Sequence, residues 1–187
     1  TLPEQETIER IRKARAALGK RLFILGHHYQ MDEIIQFADA RGDSYRLSQM
    51  GAAQTEAEYI VFCGVHFMAE SADILAQPHQ KVILPDLAAG CSMADMATYE
   101  QCEDAWAAVE SVAPGRTLPL TYMNSSAAIK AFVGRNGGSV TTSSNCRTAF
   151  EWAWGQKEKI LFIPDEHLGR NTAYAMSVPL DRMAIWD

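Results

Sequence analysis

The sequence predicts an α/β protein built as two similar three-layer α/β/α sandwich domains, each on a short parallel sheet. Three observations predict this. One phrase recurs along the 187 residues, a short β-rich run, then a small polar loop, then a helical stretch. Strands that alternate with helices in this way form parallel sheets covered by helices. The phrases group three and three around "APGRTLP", which places one domain over residues 1–115 and a second over 116–187. Apolar residues make up 48% of the chain, enough for a packed core. A single six-stranded sheet is the alternative arrangement.

The first element is an amphipathic helix. In "TLPEQETIERIRKARAALGKR", Ile8, Ile11 and Leu18 share one stripe and Gly19 ends it. The first domain then reads "LFILGHHYQMDEIIQFADA", "YIVFCGVHFMAESADILA" and "KVILPDLAAGCSMADMAT", each a strand followed by a loop and a helical stretch. The helical "YEQCEDAWAAVESV" closes it. The second domain restarts as "LPLTYMNSSAAIKAF", "GGSVTTSSNCRTAFEWA" and "KILFIPDEHLGRNTAYAM". "GDS" after the first helical stretch reads as a helix C-cap and turn, which Gly42 suits.

Composition narrows the partners. The net charge of −6 is spread over interspersed acids and bases with no basic block, which argues against nucleic acid and anionic membranes as partners. Small anions stay open, because helix N-termini and backbone amides bind them whatever the net charge. No apolar run nears the roughly 18 to 20 residues that cross a bilayer. The N-terminus lacks the apolar centre of a signal peptide, so the expected compartment is the cytoplasm. The four cysteines contain no CxxC pair and read as free thiols or metal ligands.

Ligands of parallel α/β sheets bind beyond the carboxyl ends of the strands. The loops on that rim are "GHHYQ", "CGVHF", "DLAAGCS", "YMNSS", "TTSSN" and "DEHLG". His27, His28 and Tyr29 stand at the first strand end, and neighbouring strand residues face opposite sides, so one histidine of the pair faces the site. Such histidines also serve as plain helix caps. Cys91 lies in a small-residue loop read as leading into a helix, whose N-terminus would favour a thiolate; the alternative is a small residue chosen for packing. Cys63, Cys102 and Cys146 read as filler. "YMNSS" and "TTSSN" cap helices and leave backbone N–H groups for a ligand with more than one anionic group. "PDEHLGRN" holds either an acid working with His167 or a turn before a helix.

Taken in order, "GHHYQ", "GDS", "AGCSMAD", "YMNSSAAIKAF", "TTSSN" and "PDEHLGRNTAY" resemble the quinolinate synthase family, from about Arg21 to the last residue. That resemblance implies three α/β/α domains around a [4Fe–4S] cluster held by one cysteine from each. It implies condensation of iminoaspartate with dihydroxyacetone phosphate to quinolinate, in NAD biosynthesis, with a functional link to an aspartate-oxidising enzyme.

Residue by residue, the resemblance makes Cys91 the first domain's cluster ligand. It makes His27, Ser44, Tyr122, Asn124 and Ser143 substrate-binding, and Tyr29 and Tyr122 suited to proton transfer. Ser144 is a substitute for Ser143, and His28 a bystander. The second and third cluster cysteines and the third domain are expected downstream of residue 187, so this chain reads as an inactive fragment. The alternative is a non-catalytic two-domain module for a phosphorylated or dicarboxylic metabolite.

Overall fold

The computed structural model describes residues 3–186. Helix α1 (Glu4–Leu18) begins after Pro3, carries Glu4 and Glu6 in its first turn and Arg15 in its last, and so complements its own dipole. Gly19, at φ 53°, ends it in a backbone conformation that residues with a Cβ rarely adopt. No α1 residue is buried. Arg15 ties the helix down through the Phe37 carbonyl at 2.8 Å and an ion pair with Asp39.

By its contacts the chain divides into two compact units, Thr1–Ala89 and Gly90–Asp187. The first holds β1 (Leu22–His27), β2 (Ala40–Gly42), β3 (Tyr59–Cys63) and β4 (Lys81–Ile83), all parallel, in the order β2-β1-β3-β4. The central β1 and β3 bury Ile24, Leu25, Ile60 and Phe62. Helices α2 (Asp32–Ile35), α3 (Ser44–Ala52) and α4 (His66–Leu75) cover the sheet. Ile35, Leu47, Phe67 and Met68 are their largest buried side chains.

The strand β2 corrects the sequence reading. The helical stretch expected through "MDEIIQFADA" stops at Ile35, and Ala40–Gly42 pairs with β1 instead of closing a helix. Ala-Arg-Gly has no strand propensity of its own. Its pairing is dictated by the neighbouring β1 edge, which periodicity does not reveal.

The second unit holds β5 (Thr117–Tyr122), β6 (Ser139–Thr141) and β7 (Lys159–Ile163), parallel, in the order β6-β5-β7. Its helices are α5 (Tyr99–Val112), α6 (Ala127–Arg135), α7 (Cys146–Trp154) and α8 (Glu166–Ala175). A capping box starts α5: Thr98 accepts from the Gln101 amide, and Gln101 reaches back to the Thr98 amide. The α5 residue Cys102 packs with Ile129, Phe132, Val133 and Ile163. A second cluster joins Leu118, Leu120, Cys146, Phe150, Ala153 and Ala173.

Pro119 sits inside the central strand β5, a place where a missing N–H normally costs a ladder bond. A Cβ on Gly138 would lie 1.8 Å from the Pro119 carbonyl oxygen, so Pro119 turns its polar edge toward Gly138. The β5–β6 ladder starts one residue later, at Leu120 with Ser139. The absent donor therefore falls where no strand is waiting for it.

The two units repeat one plan. In each, the central strand pairs with a three-residue strand on one side and a five-residue strand on the other, the latter followed by a ten-residue helix. His27 pairs with Gly42 and Tyr122 with Thr141, so these positions correspond. Among the described residues, no helix is long and apolar enough to cross a membrane.

Candidate functional site

In the first unit the rim is built at the end of β1. His27 is its last residue and 3% exposed. The chain then turns: the His28 amide donates to the Gly42 carbonyl at 3.2 Å, and the Gln30 amide to the His27 carbonyl at 3.0 Å. This turn breaks strand alternation, so three rings gather instead of one. The Tyr29 ring lies 3.7 Å from that of His27, centroid to centroid, and the His28 ring 4.2 Å from it. His28 is exposed, and its Nδ1 lies 3.2 Å from the Gly42 carbonyl oxygen, an arrangement in which an Nδ1–H donates.

His27 Nδ1 is buried with no hydrogen-bond partner. Burial, reinforced by His28 and partly offset by Asp43, lowers its pKa to about 4. The imidazole is therefore neutral at physiological pH, a hydrogen-bonding group rather than a cation. Asp43 caps α3 by accepting from the Arg46 amide at 2.8 Å, which places half-buried Ser44 at the first position of that helix.

The second unit presents the matching set. Tyr122 ends β5 as His27 ends β1, and Asn124 follows it by two residues as Tyr29 follows His27. Ser143 lies two residues past Thr141, the partner of Tyr122, as Ser44 lies two past Gly42, the partner of His27. Six of the expected site residues thus occupy three equivalent rim positions; the residue types differ at two of them, and the third is serine in both units.

Local hydrogen bonds hold the second rim. Ser125 is fully buried and donates to the Tyr122 carbonyl at 2.8 Å, while Lys130 donates to the Ser125 carbonyl. Ser126 caps α6 by accepting from the Ile129 amide at 3.3 Å. Asn145 folds back over its own loop, its Oδ1 accepting from the Thr142 amide and the Thr141 hydroxyl, each at 2.7 Å. The Thr142 and Ser144 hydroxyls pair at 2.9 Å, and Ser143 stands exposed at the tip of the loop.

Cys91 is half-buried, and the Asn124 amide Nδ2 lies 3.8 Å from its sulfur, in reach for an N–H···S contact. The helix expected directly after Cys91 is absent. Residues 92–97 form turns, one closed by the Asp95 amide on the Cys91 carbonyl at 3.0 Å, and α5 begins only at Tyr99. The helix dipole expected at this thiol lies further on, because the capping box at Thr98 starts α5 there. Burial pushes the Cys102 thiol up to about 11, and raises those of Cys63 and Cys146 as well.

For an iron–sulfur cluster, the donor chemistry fits in kind at Cys91 and not in number. Among the described residues, no three His, Cys, Asp or Glu side chains converge to hold a metal ion. Asp165 is the residue whose weight the sequence concealed. It caps α8, its Oδ1 accepting from the His167 and Leu168 amides at 2.8 Å, while Oδ2 is buried without a partner. "PDEHLG" is compatible with an ordinary helix start, and the orphaned oxygen appears only in three dimensions.

Comparison with known proteins gives the family. Residues 7–187 match the family model described as quinolinate synthetase A protein. A quinolinate synthase of Geobacillus sp. (strain WCH70) is 62% identical over 187 residues, covering 100% of this chain and 51% of the relative. One from Geobacillus thermodenitrificans is 63% identical with the same coverage, and one from Anoxybacillus flavithermus 59% identical, covering 53% of the relative. The chain spans about half the length of the curated relatives it matches.

Proposed function

Because the chain belongs to the quinolinate synthetase A family, we propose that it is part of a quinolinate synthase acting in the cytoplasm. The reaction condenses iminoaspartate with dihydroxyacetone phosphate, forms the pyridine ring of quinolinate, and releases phosphate and two waters. Turnover requires sequence beyond residue 187. Iminoaspartate arises by two-electron oxidation of aspartate, so an aspartate-oxidising enzyme is the natural supplier.

The observation that carries this reading is the pairing of rims: His27, Tyr29 and Ser44 in one unit sit at the strand-end positions of Tyr122, Asn124 and Ser143 in the other. Both substrates are multiply anionic. Ser44 and Ser143, each at a strand-to-helix loop, serve as hydroxyl donors to carboxylate or phosphate oxygens. Neutral His27 hydrogen-bonds the substrate without adding charge. Tyr29, exposed and with its ring tilted against that of His27, and Tyr122 move protons at the carbons next to the carbonyl and imine. Asn124 orients a substrate carboxylate or hydroxyl through its amide.

Cys91 would be one ligand of a [4Fe–4S] cluster, which when bound supplies a Lewis acid for the loss of water. The remaining ligands lie outside this chain.

Tyr29→Phe and Tyr122→Phe in the full-length protein test the reading. Each is expected to lower kcat by about 10²-fold or more with KM changed only a few-fold, as for loss of a proton-transfer group. Full kcat in both variants contradicts the assignment. A full-length protein that binds dihydroxyacetone phosphate without any turnover favours the non-catalytic module instead.

A further inference from the structure

The internal repeat supplies a control for reading the loop after β5. β1 ends at His27 and α2 begins five residues later at Asp32; β5 ends at Tyr122 and α6 begins five residues later at Ala127. The two loops are equal in length, so the fourth helical residue is Ile35 in one unit and Lys130 in the other. Ile35 is buried against Gly26, where an added Cβ would lie 2.4 Å from Ile35 Cδ1. Thr121 stands in the place of Gly26 and is itself fully buried. The fold thus accepts an apolar side chain at this helix position, and the second unit has a cation there.

A lysine is the less favourable choice on local grounds. Ordering its long side chain removes more rotamer freedom than ordering an isoleucine, and its charge lies near the positive end of the α6 dipole. In return it holds the loop. The ammonium of half-buried Lys130 donates to the Ser125 carbonyl. Ser125, fully buried, donates its hydroxyl to the Tyr122 carbonyl at 2.8 Å and its amide to the Met123 carbonyl at 3.0 Å. The Met123 amide donates to the Thr141 carbonyl at 2.7 Å. Asn124 is the apex of this closed loop, with its Nδ2 3.8 Å from the Cys91 sulfur. In the first unit the same stretch is packed by rings, those of His28 and Tyr29 lying against His27. Met123 and Asn124 take those two places in the second unit, so bonds to the backbone do there what ring contacts do in the first.

We propose that Lys130 is a positioning residue: by holding the Ser125 carbonyl, its ammonium clamps residues 122–126 in the shape that presents Tyr122 and Asn124 to the substrate. The inference rests on the functional reading above, which places those two side chains at the substrate. Lys130 acts through the loop and does not touch the substrate.

The test uses the full-length enzyme. Lys130→Met keeps the stem of the side chain and removes the donor; Lys130→Arg keeps both charge and donor. Tyr122→Phe and the double variant Tyr122→Phe/Lys130→Met complete a double-mutant cycle. Steady-state kinetics are run with each substrate varied in turn, beside thermal midpoints.

Lys130→Met is expected to lower kcat about tenfold or more, as for a reacting group displaced by less than about 1 Å, with both KM values within a few-fold of wild type. Its thermal midpoint stays at that of wild type, because Ile35 shows that the position tolerates an apolar side chain. Lys130→Arg recovers most of kcat, and in the double variant the two losses fall short of multiplying, since both act through one loop. Full kcat in Lys130→Met beside a slow Tyr122→Phe overturns the inference alone. A raised KM for one substrate with kcat kept marks direct contact with a substrate anion and overturns it too. So do losses that multiply in the double variant, an Arg variant as slow as the Met variant, or a collapse of thermal stability in both, which marks a structural residue. Full kcat in Tyr122→Phe removes the functional reading of the loop, and the inference falls with it.

Discussion

A histidine placed at a strand end and then buried is charged or neutral according to what surrounds it. Around His27, burial and the neighbouring His28 win over Asp43 and hold the pKa near 4. The unfolded chain binds this proton at about pH 6.5. Between those values the unfolded state carries more protons than the folded one, so stability falls as pH drops from about 6.5 to about 4. NMR titration should show His27 still neutral at pH 5, and His27→Gln should flatten the acid limb of the stability curve by on the order of 1–3 kcal/mol. A His27 that titrates at 6.5 contradicts the burial argument. The sequence reading set one histidine of the pair on the site face by strand alternation; in the structure β1 ends at His27, which is buried, and the turn that follows exposes His28. The sequence did not show the turn that brings the Tyr29 ring against His27, because that turn is fixed by a backbone bond to β2, a strand without sequence signature.

At the scale of elements, the strands the sequence expected are present, the short β4 and β6 among them; β2 and the turns after Cys91 were not legible. β1, β3, β5 and β7 lie in apolar runs the sequence announces, and α5 is the helical stretch read as "YEQCEDAWAAVESV". β2 is three residues long and paired by its neighbour, and the residues after Cys91 turn instead of forming a helix. The contact at Gly138 was also hidden, since it depends on Pro119 across the sheet. Added at Gly138, a Cβ would meet the Pro119 oxygen at 1.8 Å and Val133 Cγ1 at 2.8 Å. Gly138→Ala should therefore cost about 3 kcal/mol or more, against about 1 kcal/mol for Thr98→Ala at the capping box. Urea unfolding of both variants checks the order, and a Gly138→Ala protein as stable as wild type would show that the β6 edge moves freely.

Across the whole molecule, one plan is used twice with different chemistry at its rims. The shared topology, β2-β1-β3 and β6-β5-β7, makes His27 and Tyr122, Tyr29 and Asn124, and Ser44 and Ser143 equivalent in place. Composition and loop chemistry pointed to anionic small molecules. The naming of those molecules came from the resemblance carried by the order of the motifs; the family match over residues 7–187 shows the family. Since the chain spans about half of its relatives, catalysis is a property to be tested in the longer protein. The most direct measurement is quinolinate formed from iminoaspartate and dihydroxyacetone phosphate by the anaerobically reconstituted full-length protein, wild type beside Cys91→Ala. Quinolinate from the wild type and none above background from the variant is the predicted result; equal rates in the two would contradict the assignment of Cys91 and the account of the site built around it.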